Sequence, residues 1–567
     1  MTVALIGGDR RAATRSADEI GSKAAGLARI AACGVPVPPA FVLPISLCAG
    51  SNAGDPDAVR ELDDGLRQGI AFLESTSGRR FGDRRAPLLV SVRSGAARSM
   101  PGMMDTVLNV GASLPAIGGL TRMTGDPRFA WDCRRRFIES YVTGVLGRDR
   151  APFDAALARI LADERVPDER ELDCEALERL AVSYQSLSED GGWMEDPMRQ
   201  LSEAARAVYR SWTTERAQTY RRLHGFEDLK GTAVTVQTMV FGNRGLSSGA
   251  GVAFSRDPSS GGAHPVMDVL FDAQGEEVVS GRRTPQTEEA LDRAMPAIGL
   301  QLRDVLQVLE LEFRDVQDVE FTIETGRLWI LQTRPAKRSP LAAVRIAIDL
   351  VHEGLIARQE ALRRLADLDL DTLAHMRLDA PGVPIVRGIG AAPGVTTGRV
   401  AFDSTSAARQ AAAGHPIILI RPDISTADIA GFAAAAGIVT AEGGRTAHAA
   451  LVARQMGKPC VVGCTSLAVD PDARTARFNG RTISESDWIS MDGDDGAVYS
   501  GRANIARERP AAELAELDRW RSETADLATP AGNATRETAT SSAHDRQRSA
   551  SRKPPQRAIP DNATNIE

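Results

Sequence analysis

The sequence predicts a multidomain α+β protein, because helical, antiparallel β and mixed α/β patterns occupy separate parts of the chain. Its 567 residues are enough for about three or four domains of ordinary size. Helical periodicity dominates residues 130–225, which are rich in Arg, Glu and Ala. From Thr232 to Thr333, β-branched and alternating segments are separated by turn residues, as in antiparallel sheets. Strand and helix patterns then alternate over residues 385–505.

The composition excludes several classes of protein. Hydrophobic residues make up 43% of the chain and charged residues 25%, so we expect large cores and no global disorder. A net charge of −7 argues against a nucleic-acid partner held by bulk positive charge. No apolar run approaches the roughly 18 residues of a membrane span, and the first residues do not resemble a secretory signal. Six sparse cysteines without a CxxC pair indicate neither a disulfide framework nor a zinc site. We therefore expect a soluble cytoplasmic protein.

Three further segments differ in character from these domains. Residues 336–384 are polar and helical, which is typical of a linker or a small helical subdomain. Residues 506–527 predict one last helix. Residues 528–567 are rich in Ala, Thr, Ser, Arg and Pro and contain almost no large apolar side chain, a composition that predicts a disordered tail.

The strongest candidate for chemistry is His448, within the segment from Glu442 to Pro459. A strand enters a Gly-Gly turn, Thr446 is a suitable N-cap, and apolar residues at helical spacing follow until Gly457. We expect His448 in the first turn of this helix, where the dipole disfavours a charged imidazole and unpaired N–H groups can meet an anion. A neutral, nucleophilic imidazole in that place suits a phosphohistidine. A histidine that only packs at a helix start is the alternative.

A strand followed by a loop with arginines, at residues 91–106, is a second candidate site. Arg93 at the strand end suits a phosphate chain, and the Gly and Ser residues after it let backbone N–H groups approach that chain. Lys23 is one of only five lysines among 68 basic residues, so a compact point charge at this position fits a specific role. The scarcity of lysine relative to arginine is itself typical of arginine-rich codon usage. For residues 91–106, the alternative is an ordinary surface loop.

A β-hairpin with its turn at Glu324–Gly326 predicts a third candidate site. Two-residue periodicity places Asp318 and Glu320 on one face of the first strand, and Gln332 and Arg334 on one face of the second. Carboxylate and amide oxygens are the hard ligands that Mg²⁺ takes beside nucleotide phosphates. A solvated strand face with a surface ion pair is the alternative interpretation.

Five stretches in these regions carry a resemblance to a known family. They are SVRSGAARSMPGMMDTVLNVG (91–111), QTMVFGNRGLSSGAGVAFSRDPSSG (237–261), DAQGEEVVSGRRTPQ (272–286), DVEFTIETGRLWILQTRPAKRS (318–339) and GIVTAEGGRTAHAALVARQMGKPCVVGC (437–464). In content and order they resemble the pyruvate, phosphate dikinase family of PEP-utilising enzymes. The resemblance implies an ATP-grasp nucleotide-binding region at 1–335 with a helical insertion near 130–225. The linker at 336–384 would then lead to a swivelling β/β/α phosphohistidine domain at 385–505.

The resemblance also implies a role for each candidate residue. ATP would be bound by Lys23, Arg93, Glu276, Glu277, Asp318, Glu320, Gln332 and Arg334. Two of these residues, Glu320 and Gln332, would also hold Mg²⁺. His448 would carry the phosphoryl group, next to a loop formed by Gly443, Gly444, Arg445 and Thr446. The family's Lys-Gly-Ala-Asn-Leu start is here Lys23-Ala-Ala-Gly-Leu27, so this edge of the ATP site departs from the family pattern.

The implied reaction has two halves. ATP and inorganic phosphate phosphorylate the histidine and leave as AMP and pyrophosphate, and the phosphohistidine then converts pyruvate to phosphoenolpyruvate. Family members hold pyruvate in a (β/α)₈ barrel of about 250 residues, and too few residues follow Ser500 for such a barrel. We therefore expect the acceptor site on a separate barrel-type protein. Two alternatives stay open: a dikinase acting on another small-molecule acceptor, and a catalytically silent protein that binds ATP for regulation.

Overall fold

Two antiparallel sheets with helices packed on both form the region up to Pro335. The computed structural model describes residues 3–528 except 9–14, 99, 101–105, 189–190, 281–282, 372, 380–381, 423–428, 446–447 and 471–472. The strands of this region are β1 (Ala4–Ile6), β2 (Ala40–Leu43), β3 (Arg80–Phe81), β4 (Pro87–Leu88), β5 (Val90–Ala96), β6 (Val107–Val110), β7 (Thr232–Thr238), β8 (Gly249–Phe254), β9 (Val266–Phe271), β10 (Gln317–Glu324) and β11 (Arg327–Pro335). The helices are α1 (Ala17–Ile20), α2 (Ser22–Ala32), α3 (Leu47–Ala53), α4 (Pro56–Ser77), α5 (Leu114–Thr124), α6 (Pro127–Gly144), α7 (Ala151–Glu164), α8 (Cys174–Ser186), α9 (Pro197–Ser211), α10 (Glu215–Leu223), α11 (Gly275–Ser280), α12 (Glu288–Ala294) and α13 (Pro296–Phe313).

The first sheet lies between two apolar cores. Its strand order is β1-β2-β7-β5-β6, and the second sheet has the order β11-β10-β8-β9, with antiparallel neighbours throughout. Side chains alternate along β2: Phe41 and Leu43 pack with helices α4 to α9, whereas Ala40 and Val42 pack with α2, α13 and the second sheet. Burial on both faces fixes the register of the sheet, because a slip of one residue would exchange the two sets.

The helical segment predicted over residues 130–225 is confirmed, since α6 to α10 lie within residues 127–223.

An Asp-Pro pair marks the start of several helices in the N-terminal region. Asp55, Asp126 and Asp196 each precede a proline, and each side chain accepts a hydrogen bond from an N–H group in the first turn. The aspartate satisfies a donor that has no partner within the helix, and the proline contributes no such donor.

The region after Pro335 contains two helices followed by an α/β module. The helices are α14 (Pro340–His352) and α15 (Arg358–Arg364). The strands are β12 (His375–Asp379), β13 (Val386–Arg387), β14 (Ile389–Ala392), β15 (Val395–Ala401), β16 (Ile417–Arg421), β17 (Gly437–Thr440), β18 (Cys460–Val462), β19 (Leu467–Asp470), β20 (Thr475–Phe478), β21 (Arg481–Ser484), β22 (Trp488–Asp492), β23 (Ala497–Ser500) and β24 (Asn504–Glu508). The later helices are α16 (Ser404–Ala412), α17 (Ile429–Ala434), α18 (His448–Gln455) and α19 (Ala511–Ala528).

The module is built on an eight-stranded sheet of order β13-β23-β22-β15-β16-β17-β18-β14. Strands β15 to β18 are parallel, and α16, α17 and α18 connect them in turn, as parallel strands require. The core on one side of the sheet includes Ile418, Val439 and Val461, which belong to three adjacent parallel strands. Helix α18 is therefore a crossover helix whose first residue follows the carboxyl end of β17.

Part of the predicted helical linker, residues 336–384, is a strand. β12 pairs antiparallel with β24, from His375 opposite Glu508 to Asp379 opposite Asn504. In β12, Met376 and Leu378 pack beside Val395 and Tyr499, but this alternation spans only five residues. Its partner β24 is largely exposed and gives no alternating signal. The helix predicted at 506–527 is present as α19 but begins only at Ala511, and the predicted disordered tail lies outside the described residues from 529 onwards.

All six cysteines carry free thiols, as the sequence predicts. Burial raises the pKa of both Cys460 and Cys464 to about 12, which keeps these thiols protonated inside the module. None of the helices in the described residues combines the length and the apolar character needed to cross a bilayer.

Two adjacent glycines in α5 allow a test of helix packing. A Cβ atom at Gly118 would meet only the Arg122 guanidinium, at 3.9 Å, whereas one at Gly119 would lie 2.8 Å from Pro87 and 3.0 Å from the Arg84 carbonyl. Alanine favours a helix over glycine by about 1 kcal/mol. We expect Gly118→Ala to match or exceed the wild-type thermal midpoint, and Gly119→Ala to lose about 1–3 kcal/mol through overpacking. Far-UV circular dichroism measures both midpoints, and equal midpoints would contradict this packing.

Candidate functional site

A cavity of about 340 Å³ lies between the two sheets of the N-terminal region. Residues of β5 and β7 line it from the first sheet, and residues of β8, β10 and β11 line it from the second. Five of the residues predicted to bind ATP face it, namely Lys23, Arg93, Glu320, Gln332 and Arg334. Two candidate segments that are far apart in the sequence therefore meet at one place, together with the start of α2.

A close contact between two glycines brings Lys23 to Arg93. Gly21, with a φ of 81°, lies against Gly95 of β5, and a Cβ atom at position 21 would collide with the Gly95 carbonyl. Lys23 keeps an exposed surface, but partial desolvation by the surrounding protein lowers its pKa; Arg93 lowers it further, whereas Glu320 raises it. The cavity thus holds two neighbouring cations, whose mutual repulsion an anionic ligand would relieve.

The predicted hairpin is confirmed, and a bulge in it aligns the polar side chains. Glu320 lies opposite Gln332, but Phe321 lies opposite Ile330, so Leu331 is an extra residue in β11. In a regular strand Ile330 and Gln332 would share a face. The bulge instead leaves Ile330 in the apolar core and turns Gln332 towards the cavity.

The oxygen atoms at this end of the hairpin fit a magnesium ion. Arg334 Nε donates to Asp318 Oδ2 at 2.8 Å, and Gln332 Nε2 donates to Glu320 Oε1. Asp318 does not line the cavity itself; burial raises its pKa against the effect of Arg334, and its buried Oδ1 has no hydrogen-bond partner among the described residues. In the described part of the chain, no cluster of three or more His, Cys, Asp or Glu side chains forms a complete metal site. A cation here would therefore share its ligands with a phosphate, as Mg²⁺ commonly does.

Glu277 does not line this cavity, so the structure does not bring it together with the five residues named above. Its carboxylate pairs with Arg136 Nη2 at 3.0 Å and with Arg283 Nη1 at 2.9 Å, and it lines a second cavity of about 690 Å³. The two cavities adjoin at Leu108. Local ion pairing therefore determines the position of Glu277, and the side chain of Glu276 lies outside the described residues.

The predicted phosphohistidine loop lies against β9. The Arg445 N–H group donates to Asp268 Oδ2 at 2.6 Å, and Arg445 Nη1 is 3.3 Å from Asp268 Oδ1. Gly443 has a φ of 106°, and a Cβ atom on Gly444 would collide with Pro285. The first glycine is therefore required by its backbone conformation and the second by the close approach of the two surfaces.

Helix α18 begins at His448, as the first-turn prediction requires. The His448 side chain and all of Thr446 lie outside the described part of the chain. Asp268 is only 2% exposed, and burial raises its pKa although Arg445 opposes the shift. Asp268 also lies opposite Val252 in the sheet, and Val252 lines the 340 Å³ cavity. The loop before His448 is therefore docked at the edge of that cavity.

Sequence reasoning missed several parts of this site. Asp268 was identifiable only as a lone carboxylate in the apolar strand VMDVLF, which is a weak signal. Residues 237–240, at the end of β7 and just after it, line the cavity, but sequence reasoning gave them no site role although they begin one of the stretches that resemble the family. Arg454, within α18, donates to the Arg445 carbonyl and has no sequence signal beyond its helical spacing.

Family models match both parts of the chain. The model described as "Pyruvate phosphate dikinase, AMP/ATP-binding domain" matches residues 59–298 and 298–354, and the one described as "PEP-utilising enzyme, mobile domain" matches residues 414–496. The first match includes most of the residues around the cavity. The second includes the parallel strands β16 to β18 and the helix that begins at His448.

Whole-chain similarity extends these matches. Pyruvate, phosphate dikinase of Clostridium symbiosum is 41% identical over 490 residues, which are 85% of this chain and 56% of that protein. The protein of the same name from Rhizobium meliloti (strain 1021) is 40% identical over 537 residues, 90% of this chain and 59% of that protein. Pyruvate, phosphate dikinase 2 of Zea mays is 38% identical over 512 residues, 88% and 57% respectively. The chain thus spans a little over half the length of these curated relatives, and it belongs to the pyruvate, phosphate dikinase family.

Proposed function

We propose that this chain transfers a phosphoryl group from ATP to His448 in the presence of inorganic phosphate and releases AMP and pyrophosphate. The observation that carries the proposal is the docking of the loop before His448 at the edge of the cavity. Arg445 of that loop binds Asp268, which lies opposite the cavity-lining Val252. A carrier loop next to a cationic cavity suits direct transfer, because reacting groups must be held close together.

The charges around the cavity suit phosphoryl transfer, in which positioning and charge neutralisation contribute most of the catalysis. Lys23, Arg93 and Arg334 would face the phosphate chain of ATP. Glu320 and Gln332 would hold Mg²⁺, which supplies further positive charge to the phosphates when it is bound. This combination of three cationic side chains and a few hard oxygen ligands suits the charge of a nucleoside triphosphate with its Mg²⁺.

Each phosphoryl group of ATP has a defined destination in the proposed transfer. An imidazole nitrogen of His448 would attack the β-phosphorus of ATP, and the bond to AMP would break. Inorganic phosphate would then take the γ-phosphoryl group as pyrophosphate, which leaves the β-phosphoryl group on His448. N–H groups in the first turn of a helix have no partner within the helix, so those at the start of α18 would be suited to bind that anion.

Onward transfer to pyruvate, which would form phosphoenolpyruvate, needs an acceptor site outside the residues described. The contacts between Arg445 and Asp268 would have to break before the module could reach such a site. A barrel-type protein supplied in trans is the partner that we propose to test. A different small-molecule acceptor would leave the first half-reaction unchanged.

Mass spectrometry of the intact chain tests the proposed half-reaction. After incubation with Mg·ATP and phosphate, we expect one added phosphoryl group on the peptide that contains His448, with AMP and pyrophosphate released in equal amounts. The label should be acid-labile, as phosphoimidazoles are. His448→Ala should abolish it, and His415→Ala, in the same module, should not. A wild-type chain that binds ATP but yields neither AMP nor pyrophosphate would support the silent regulatory alternative instead.

The lowered pKa of Lys23 predicts a pH dependence of ATP binding. The Lys23 ammonium is charged below its pKa and then attracts phosphate. ATP affinity should therefore fall as the pH rises through the pKa of Lys23, which lies below the ordinary 10.5 of lysine. Isothermal titration calorimetry at a series of pH values from neutral upwards measures this change in ATP affinity. Lys23→Arg stays charged and should give a flat profile, and Lys23→Met should lose about 2 kcal/mol at neutral pH. A wild-type profile as flat as that of Lys23→Arg would contradict the role of Lys23.

Two substitutions in the hairpin test the magnesium site. Glu320→Gln and Gln332→Leu should each reduce the gain in ATP affinity caused by Mg²⁺ by about tenfold. Without Mg²⁺, Glu320→Gln should bind ATP at least as well as wild type, because it removes a negative charge near the phosphates. Glu324→Gln is the matched control, since Glu324 is on the same hairpin but pairs with Arg244. An equal loss in all three variants would point to a general disturbance of the hairpin.

A further inference from the structure

Arg454, near the end of α18, donates hydrogen bonds to two main-chain carbonyls in its own module. Its Nε donates to the Ala391 carbonyl at 2.6 Å, and its Nη2 donates to the Arg445 carbonyl. Ala391 belongs to β14, the edge strand of the module's sheet. A long helical side chain reaches back towards the start of its helix, so Arg454 connects that start to the edge strand.

Both polar groups of the Arg445 backbone are held, but by different parts of the molecule. The N–H group is held by Asp268 of the N-terminal region, at 2.6 Å, and the carbonyl by Arg454 of the module. The contact with Asp268 is lost if the module leaves, whereas the contact with Arg454 travels with it. Arg454 can thus hold the loop in one conformation both when the module is docked on Asp268 and when it has moved away.

The charge of Arg454 also acts on the N-terminal region. Among the described residues it forms no ion pair, and its hydrogen bonds go to uncharged carbonyls. Burial lowers the pKa of Arg454, and Cys460, Asp268 and Asp318 act in the opposite direction. A guanidinium that is half removed from water and has no carboxylate partner among the described residues costs free energy, which its hydrogen bonds to two carbonyls offset in part.

We propose that Arg454 is a positioning residue for phosphorylation of His448. It fixes the Arg445 carbonyl, three residues before His448, and so sets how the loop enters α18. The inference rests on the proposed function and adds to it a residue that does not line the cavity proposed for ATP. A planar guanidinium suits the task because its separate donors can address two carbonyls at once, which a lysine ammonium matches poorly.

The test compares Arg454→Met and Arg454→Lys by rapid-quench measurement of His448 phosphorylation at saturating ATP. A displacement of about 1 Å can reduce such a rate about 100-fold. We expect a loss of this size in Arg454→Met, little change in the ATP concentration for half-maximal rate, and only partial rescue by Arg454→Lys. ATP binding and thermal unfolding of both variants should remain close to wild type.

Arg128→Met is the matched control for this test. Within the described part of the chain, Arg128 also donates only to main-chain carbonyls, those of Leu172, Glu169 and Arg170, but it lies in α6. Its substitution should leave the phosphorylation rate unchanged. Wild-type rates in both Arg454 variants, full rescue by lysine, or a loss of ATP affinity equal to the loss of rate would each overturn the inference. Absence of phosphorylation in the wild-type chain would instead overturn the proposed function.

Discussion

The buried carboxylate of Asp268 determines how the loop before His448 meets the N-terminal region. A carboxylate that is almost fully removed from water is unfavourable unless charged or polar groups satisfy it. Here the N–H group and the guanidinium of Arg445 bind its two oxygens, and Gly444 leaves room for the approach. The docked arrangement therefore depends on one compact set of contacts. If the loop withdrew, water could replace it at Asp268, which makes a reversible contact physically reasonable.

The cavity depends in a similar way on one irregularity in β11. Because of the bulge at Leu331, Ile330 packs in the apolar core while Gln332 of the same strand lines the cavity. One additional residue thus separates two chemical environments along a single strand. Gly21 has a comparable effect on the other wall, because its contact with Gly95 brings the start of α2 onto β5. Both features position polar side chains at the cavity by means of backbone geometry.

Local rules were sufficient to predict much of the fold and part of the site. The Gly-Gly turn, the helix start at His448 and the hairpin around Glu324 follow from periodicity and turn chemistry within short segments. The bulge could not be predicted, since regular alternation would place Ile330 and Gln332 on one face. Other features depend on contacts between distant segments. The docking of Arg445 on Asp268 and the pairing of Glu277 with arginines of other elements are examples, and no local pattern encodes them. Strand β12 escaped prediction because its alternation of apolar and polar residues spans only five positions and its partner β24 is largely exposed.

The pairing of β12 with β24 has a consequence for how the module is attached. The chain enters the module beside β12 and leaves it beside β24, so both connections lie along one narrow ribbon. The movement that the proposed onward transfer requires would then be a rotation about that edge, which would stretch neither connection. A fluorescent group placed just beyond Glu508 would consequently stay close to the pivot during such a rotation, whereas one placed near the start of α18 would sweep through a wide arc.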